Sequence, residues 1–182
     1  MNRAKEINGP DVVFLGALYG HGVFPEAENR EKAVRTLWGM RDEIDFLLLG
    51  NGWKKIGLEV GQTNEQHSAN ARLYARSKLA LSISQASELW GYTSDRLYNI
   101  CATGCPALVQ RFAGMEAHGF VDGASCISWS SVDEMVEKIR YYLNHSEKRE
   151  EIGMRGKDVV LSRHTWKHRV DSLFTMMQGF KR

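Results

Sequence analysis

Apolar residues in this chain fall into short dense runs, separated by longer stretches where they recur every third or fourth position. The runs are Asp11-Val12-Val13-Phe14-Leu15-Gly16, Phe46-Leu47-Leu48-Leu49, Lys78-Leu79-Ala80-Leu81-Ser82-Ile83, Pro106-Ala107-Leu108-Val109-Gln110 and the shorter Ser125-Cys126-Ile127-Ser128-Trp129. Runs of this length bounded by turn residues are strand-like, and their near-continuous apolar character marks strands covered on both faces. Between them the spacing is helical. Ala33, Val34, Leu37 and Trp38 share a face over 28–40, and Ala71, Leu73 and Tyr74 lie in a second helical stretch over 68–76. Thr93 or Ser94 can cap a third helix that runs to about Thr103 and stops at Gly104. Ser131-Val132-Asp133-Glu134 has capping-box spacing ahead of Met135, Ile139 and Leu143. Ser146 starts a helix to about Leu161, and Thr165 starts a last one over about 165–178, with Trp166, Val170, Leu173 and Met177 in a stripe. Residues 56–64 read as a loop with room for a short strand.

Strands that alternate with helices of this length predict an α/β fold: one parallel sheet with helices on both faces, over 1–182, without repeat or linker. Ligands of such sheets bind beyond the carboxyl ends of the strands, at a topological switch point. The loops to inspect are therefore 16–25, 50–53, 84–96 and 111–116.

Composition narrows the function classes. The 182 residues are 43% hydrophobic and 25% charged, which supports a buried core and excludes a mainly disordered chain. Lys+Arg 24 against Asp+Glu 22 gives +2 with the charges interspersed, so nucleic acid is not a favoured partner. No apolar run reaches the roughly 18 residues of a membrane span, and the polar start is not followed by a signal-peptide core. The expected location is cytoplasmic, and Cys101, Cys105 and Cys126 are expected as reduced, buried thiols.

The loops carry limited chemistry. Gly16-Ala17-Leu18-Tyr19-Gly20-His21-Gly22 is glycine-rich after the first strand but is not GxGxxG, and no acid follows the second strand, which argues against a dinucleotide site. The densest polar cluster is Gly91-Tyr92-Thr93-Ser94-Asp95-Arg96 with Asn99. It opens a helix, where free N–H groups and the helix dipole attract anions. Arg96 would add a fork-shaped donor suited to phosphate, and Asn99 an amide for a sugar hydroxyl. The plainer reading makes Ser94 and Asp95 ordinary caps and Arg96 a solvated side chain. His164 and His168 stand four apart, the spacing of a two-histidine metal face, but no third ligand is evident and surface or packing roles fit better.

The segment Tyr74 to Leu108, YARSKLALSISQASELWGYTSDRLYNICATGCPAL, resembles the C-terminal domain of CgeB-like glycosyltransferases, GT-B enzymes related to the group 1 transferases. The segment Glu134 to Arg169, EMVEKIRYYLNHSEKREEIGMRGKDVVLSRHTWKHR, is similar to that family's closing helices. So is the opening strand, its Gly-containing loop and the helix led by Arg30. The resemblance runs from about Asp11 to Phe174. It implies a Rossmann-like domain, the C-terminal half of a GT-B fold, that binds the nucleotide of an activated sugar without a metal or other cofactor. In the group 1 pattern a glutamate eight residues before another opens the phosphate turn, and the second holds the ribose. Those positions here are Gly91 and Asn99, so both acids are missing. The nucleotide-sugar site implied comprises Gly16, Arg30, Trp53, Gly91, Thr93, Ser94, Asp95, Arg96 and Asn99. Trp53 and the loop Gly61-Gln62-Thr63-Asn64 would meet base or ribose, Arg30 and His21 the diphosphate, and Glu116 the donor; no catalytic residue is assigned. A complete GT-B enzyme is about twice this length. The resemblance thus also implies a missing N-terminal domain or partner subunit, toward which the last helix would pack, and little turnover by the chain alone. The alternative is a non-catalytic interaction module with a degenerate nucleotide site.

Overall fold

All five apolar runs form strands in the computed structural model, which describes residues 9–60 and 67–179. They are β1 Val12–Leu15, β2 Phe46–Leu49, β3 Leu79–Ser82, β4 Ala107–Gln110 and β5 Ile127–Trp129. All pair in parallel, in the order β2-β1-β3-β4-β5. The helices are α1 Ala27–Gly39, α2 His67–Arg76, α3 Asp95–Ala102, α4 Val132–Leu143, α5 Ser146–Arg163 and α6 Trp166–Gly179. The predicted Rossmann-like α/β sheet is the observed one.

The two-residue period of the strands divides the core into two layers. Val12, Phe14, Leu79, Leu81, Leu108, Ile127 and Trp129 meet Ala33, Val34 and Leu37 of α1 and Met135 and Ile139 of α4. Val13, Leu15, Ala80, Ala107 and Val109 meet Tyr74 of α2, Leu97, Ile100 and Cys101 of α3 and Val160 of α5. With both faces covered, the strands carry no polar alternation. The three cysteines are free and buried, and burial pushes each thiol above its ordinary value.

Two local expectations need correction. Residues 53–56 form a 3₁₀ turn, and no strand forms among the described residues of 56–60; Gly61 to Asn64 lie outside the described residues. Ser94 is the N-cap of α3 by position, with an extended backbone, but its hydroxyl makes no capping hydrogen bond. The Ser131 cap of α4 does form. Its Oγ accepts from the Glu134 N–H at 3.1 Å, while Glu134 Oε2 accepts from the Ser130 N–H at 2.8 Å. Ser131→Ala is expected to cost about 1 kcal/mol. Urea unfolding checks this, and an unchanged midpoint would mean that the cap contributes nothing.

None of the described side chains of α6 is buried. Trp166 is 85% exposed, and Leu173, Phe174, Met176 and Met177 are also uncovered.

Candidate functional site

The strand order places the site. From β1 the chain passes through α1 to β2 on one side, then returns across β1 to β3 on the other. The carboxyl ends of β1 and β3 therefore part at a switch point, where a crevice must open. A cleft of about 640 Å³ lies there. Gly16, Ala17, Gly50 and Asn51 form its floor beyond β1 and β2. Ser68, Asn70, Ala71 and Tyr74 of α2 form one wall, and Asp95, Arg96 and Asn99 of α3, with Thr103 beyond it, the other.

The floor depends on close backbone approach. A Cβ on Gly50, whose φ is +145°, would lie 2.1 Å from the Gly16 carbonyl oxygen. Only glycine takes that conformation and fits that space. A Cβ on Gly16 would meet the Phe14 ring at 2.7 Å and Arg96 Nη2 at 3.0 Å.

Two arginines close the switch point from beneath. Arg30 donates from Nη1 to Ala17 O at 3.2 Å and from Nη2 to Ile83 O at 2.9 Å and Ser84 O at 3.4 Å. Arg96 donates from Nε to Leu15 O at 2.8 Å and from Nη1 to Ile83 O at 3.1 Å. Both thus grip the carboxyl ends of β1 and β3 and share one carbonyl. All of these acceptors are neutral backbone oxygens. Burial, then the charge of Arg96, lowers the Arg30 guanidinium to about 10, with Tyr19 offsetting part of this. Burial lowers Arg96 as well, offset by Tyr74 and Asp95. Both remain cationic at neutral pH.

The structure brings Gly16, Asp95, Arg96 and Asn99 together around the cleft and separates the other candidates from it. Asp95 and Asn99 are a helical turn apart on the cleft wall, with Asn99 Nδ2 3.5 Å from Asp95 Oδ2. Trp53 does not face a ligand. It is fully buried, and its indole N–H donates to Gly16 O at 2.7 Å, supporting the floor from behind. Arg30 is likewise 3% exposed, and its donors are spent on backbone, so it does not reach outward to a diphosphate. Gly91, at φ +71°, makes a turn whose N–H donates to Ala113 O at 2.8 Å. Thr93 and Ser94 follow it at the entrance of α3, outside the cleft lining, and Ser94 Oγ is buried without a partner. His21 is exposed and pairs with Glu31 at 3.0 Å. Glu116 pairs with Arg111 at 3.0 Å. Among the described residues there is no group of three or more side chains that could hold a metal ion.

Sequence reasoning missed Glu26. At the start of α1 its carboxylate accepts from Ser87 Oγ, from Gln110 Nε2 at 2.5 Å and from Asn29 Nδ2 at 3.2 Å. Burial pushes this carboxyl up, but those hydrogen bonds outweigh it and hold it below its ordinary value. Glu26 ties α1 to the loop after β3 and to the end of β4, beside a second, shallower cleft. The signal available was an acid at the N-cap position of an amphipathic helix inside a switch-point loop. Tyr74, Ser68 and Asn51 were also missed. Tyr74 is drawn in by its place on the buried face of α2, and burial raises its phenol to about 12, so it stays a neutral donor.

The model of the glycosyl transferase-like family matches residues 30–175, most of the chain. No curated protein matches it. Among solved structures it is similar to a sucrose-phosphate synthase from Thermosynechococcus elongatus, with TM-score 0.70, 14% identity, and coverage of 96% of this chain and 47% of that one. Anabaena HepE in complex with UDP-glucose gives TM-score 0.66 and 13% identity, over 95% of this chain and 50% of that one. The C-terminal domain of a group 1 family glycosyl transferase from Francisella tularensis gives TM-score 0.58 and 13% identity, over 85% and 86%. At these identities the likeness is one of fold: the Rossmann-like half of a GT-B architecture. The chain spans about half the length of the first two proteins. By the family match over most of its length, this chain belongs to the glycosyl transferase-like family.

Proposed function

We propose that this chain is the donor-binding half of a CgeB-like GT-B glycosyltransferase, which takes a nucleotide sugar without a metal and works in the cytoplasm with an N-terminal domain or partner subunit. The observation that carries this reading is the pair of guanidiniums at the switch point, both bonded to backbone carbonyls, with Arg96 lining the open cleft and Arg30 buried behind it. Two cations against the single carboxylate of Asp95 leave a net positive field at the mouth of β1 and β3, which suits a diphosphate. Asp95 and Asn99 on the wall present an acceptor and an amide one helical turn apart, which suits a ribose diol. HepE, of similar fold, is a structure with UDP-glucose. The uncovered apolar side chains of α6 suit the missing half. No helix among the described residues is long and apolar enough to cross a membrane.

Calorimetric titration with nucleoside diphosphates and nucleotide sugars, with and without EDTA, tests the reading. One nucleotide should bind, and EDTA should not change its affinity. Asp95→Leu with Asn99→Leu should weaken that binding about tenfold, or roughly 1.4 kcal/mol, while the 2′-deoxy analogue binds both proteins alike. Absence of binding at millimolar ligand would overturn it. The second reading, an interaction module with a degenerate site, is favoured by one observation. Gly91 and Asn99 stand where the group 1 pattern has its two acids, so no carboxylate is available at either position.

A further inference from the structure

Helix α6 is joined to the domain through His164, the residue that ends α5. Its Nε2 lies 2.8 Å from the His118 carbonyl oxygen, so Nε2 carries the hydrogen and donates. Nδ1 is then an acceptor, and Arg169 Nη2, in the first turn of α6, donates to it at 3.2 Å. The same Arg169 guanidinium lies 5.7 Å from the centre of the Tyr98 ring. His118 continues the connection. Its ring stacks on His164 at 5.7 Å and 23°, its Nδ1 is 2.8 Å from the Tyr98 hydroxyl on α3, and its Nε2 packs against the Gly91 turn, 3.5 Å from where a Cβ on Gly91 would stand. An unbroken set of contacts therefore runs from α6 through His164 and His118 to the Gly91 turn that leads into α3.

We propose that the His118–His164 stack is a pH-operated latch that couples the seating of α6 to the Gly91 turn. Protonating His164 at Nδ1 removes the acceptor for Arg169 and sets two cations face to face. A proton on His118 Nδ1 leaves two donors on that ring and requires the Tyr98 hydroxyl to turn. The charged groups acting on the pair from the packed elements are Arg163 of α5 and Arg169 and His168 of α6, all basic. His168 is itself held by Thr165, with Nδ1 and Oγ1 2.7 Å apart. From α3 and the β4–β5 connection the pair meets Tyr98, Phe112 and Phe120, which add no charge. Burial depresses both imidazoles below the ordinary 6.5; His164 and then Arg169 add to this on His118, while on His164 the hydrogen bond to the His118 carbonyl opposes it and Arg169, Arg163 and His168 add to it. The sign follows: the neutral pair stabilises fully above 6.5, and that stabilisation is lost as pH falls through the depressed values. That the latch regulates a nucleotide site rests on the function proposed above; the coupling itself does not.

Hydrogen exchange of the whole chain without ligand, at pH 7.5 and 5.5 and corrected for intrinsic rate, tests it. Amides of 164–170 and 91–94 should lose at least tenfold protection together at the lower pH. In His164→Gln, which keeps a donor and an acceptor but does not titrate, both segments should keep their protection. pH-independent protection in the wild type, or loosening of 164–170 with 91–94 unchanged, would overturn the latch. Should the variant fail to fold, NMR titration of the wild type decides. Histidine ring signals and the Met176 and Met177 methyl signals of α6 should share a midpoint below 6.5, and separate midpoints refute the coupling. Failure of every nucleotide to bind at pH 7.5 counts against the proposed function and leaves this test standing.

Discussion

Arg30→Met is expected to be the most destabilising single substitution in the site. It should cost about 2–4 kcal/mol and lower the Tm by roughly 5–15 °C. Methionine matches the length of the arginine stem and leaves no large cavity, so the loss isolates the guanidinium. Without it Ala17 O and Ser84 O lose their arginine donor, while Ile83 O keeps Arg96. Two gains oppose this: the repulsion between Arg30 and Arg96 disappears, and so does the buried Arg30 Nε, which has no partner. Two stranded carbonyls outweigh one relieved N–H because they sit on different loops, which Arg96 then ties only at their starts, through Leu15 O and Ile83 O. Arg30→Lys should rescue little, since a single ammonium cannot reach three carbonyls in fork geometry. Thermal and urea melts followed by circular dichroism check both variants. A wild-type melt for Arg30→Met would show that the loops are held by something else.

The fold was legible because burial on both faces writes itself into composition. Four consecutive apolar residues between Asp45 and Gly50, as at Phe46 to Leu49, suit a short strand in a covered sheet and little else. The site was less legible, for a reason that Arg30 makes plain. Ala27, Arg30, Ala33, Val34 and Leu37 are the buried positions of α1, at helical spacing. The stripe was visible in the sequence, and Arg30 lies on it, but an arginine next to a glycine-rich loop suggests an outward role. What turns it inward is a set of carbonyls just beyond β1 and β3, two of them more than fifty residues distant, which no local period encodes. Trp53 fails in the same way: its partner is a carbonyl at the end of another strand. Asp95 and Asn99 were readable because their relation is internal to one helix, at i and i+4.

Arg96→Ala is expected to have the largest effect on ligand binding, weakening the nucleoside diphosphate by about thirtyfold, or roughly 2 kcal/mol. Arg96 differs from Arg30 in position, not in kind. Its Nε and Nη1 are fixed on Leu15 O and Ile83 O, which orients the plane of the guanidinium. Its Nη2 lies beside Gly16 on the cleft floor. A donor held in place by two other bonds loses little entropy on meeting an anion, so its contribution to binding exceeds that of a solvated arginine. Arg96→Lys retains the charge but must choose between the carbonyls and the ligand, and should recover only part of the affinity. Gly16→Ala, which presses a methyl group to 3.0 Å from Nη2, should weaken binding while leaving the charge in place. Titrations of the three variants, run at a temperature where each remains folded, separate binding from stability. If Arg96→Ala binds as tightly as the wild type, the phosphates are held elsewhere. The arginine pair is then only a structural clamp, and the interaction-module reading becomes the better account of this chain.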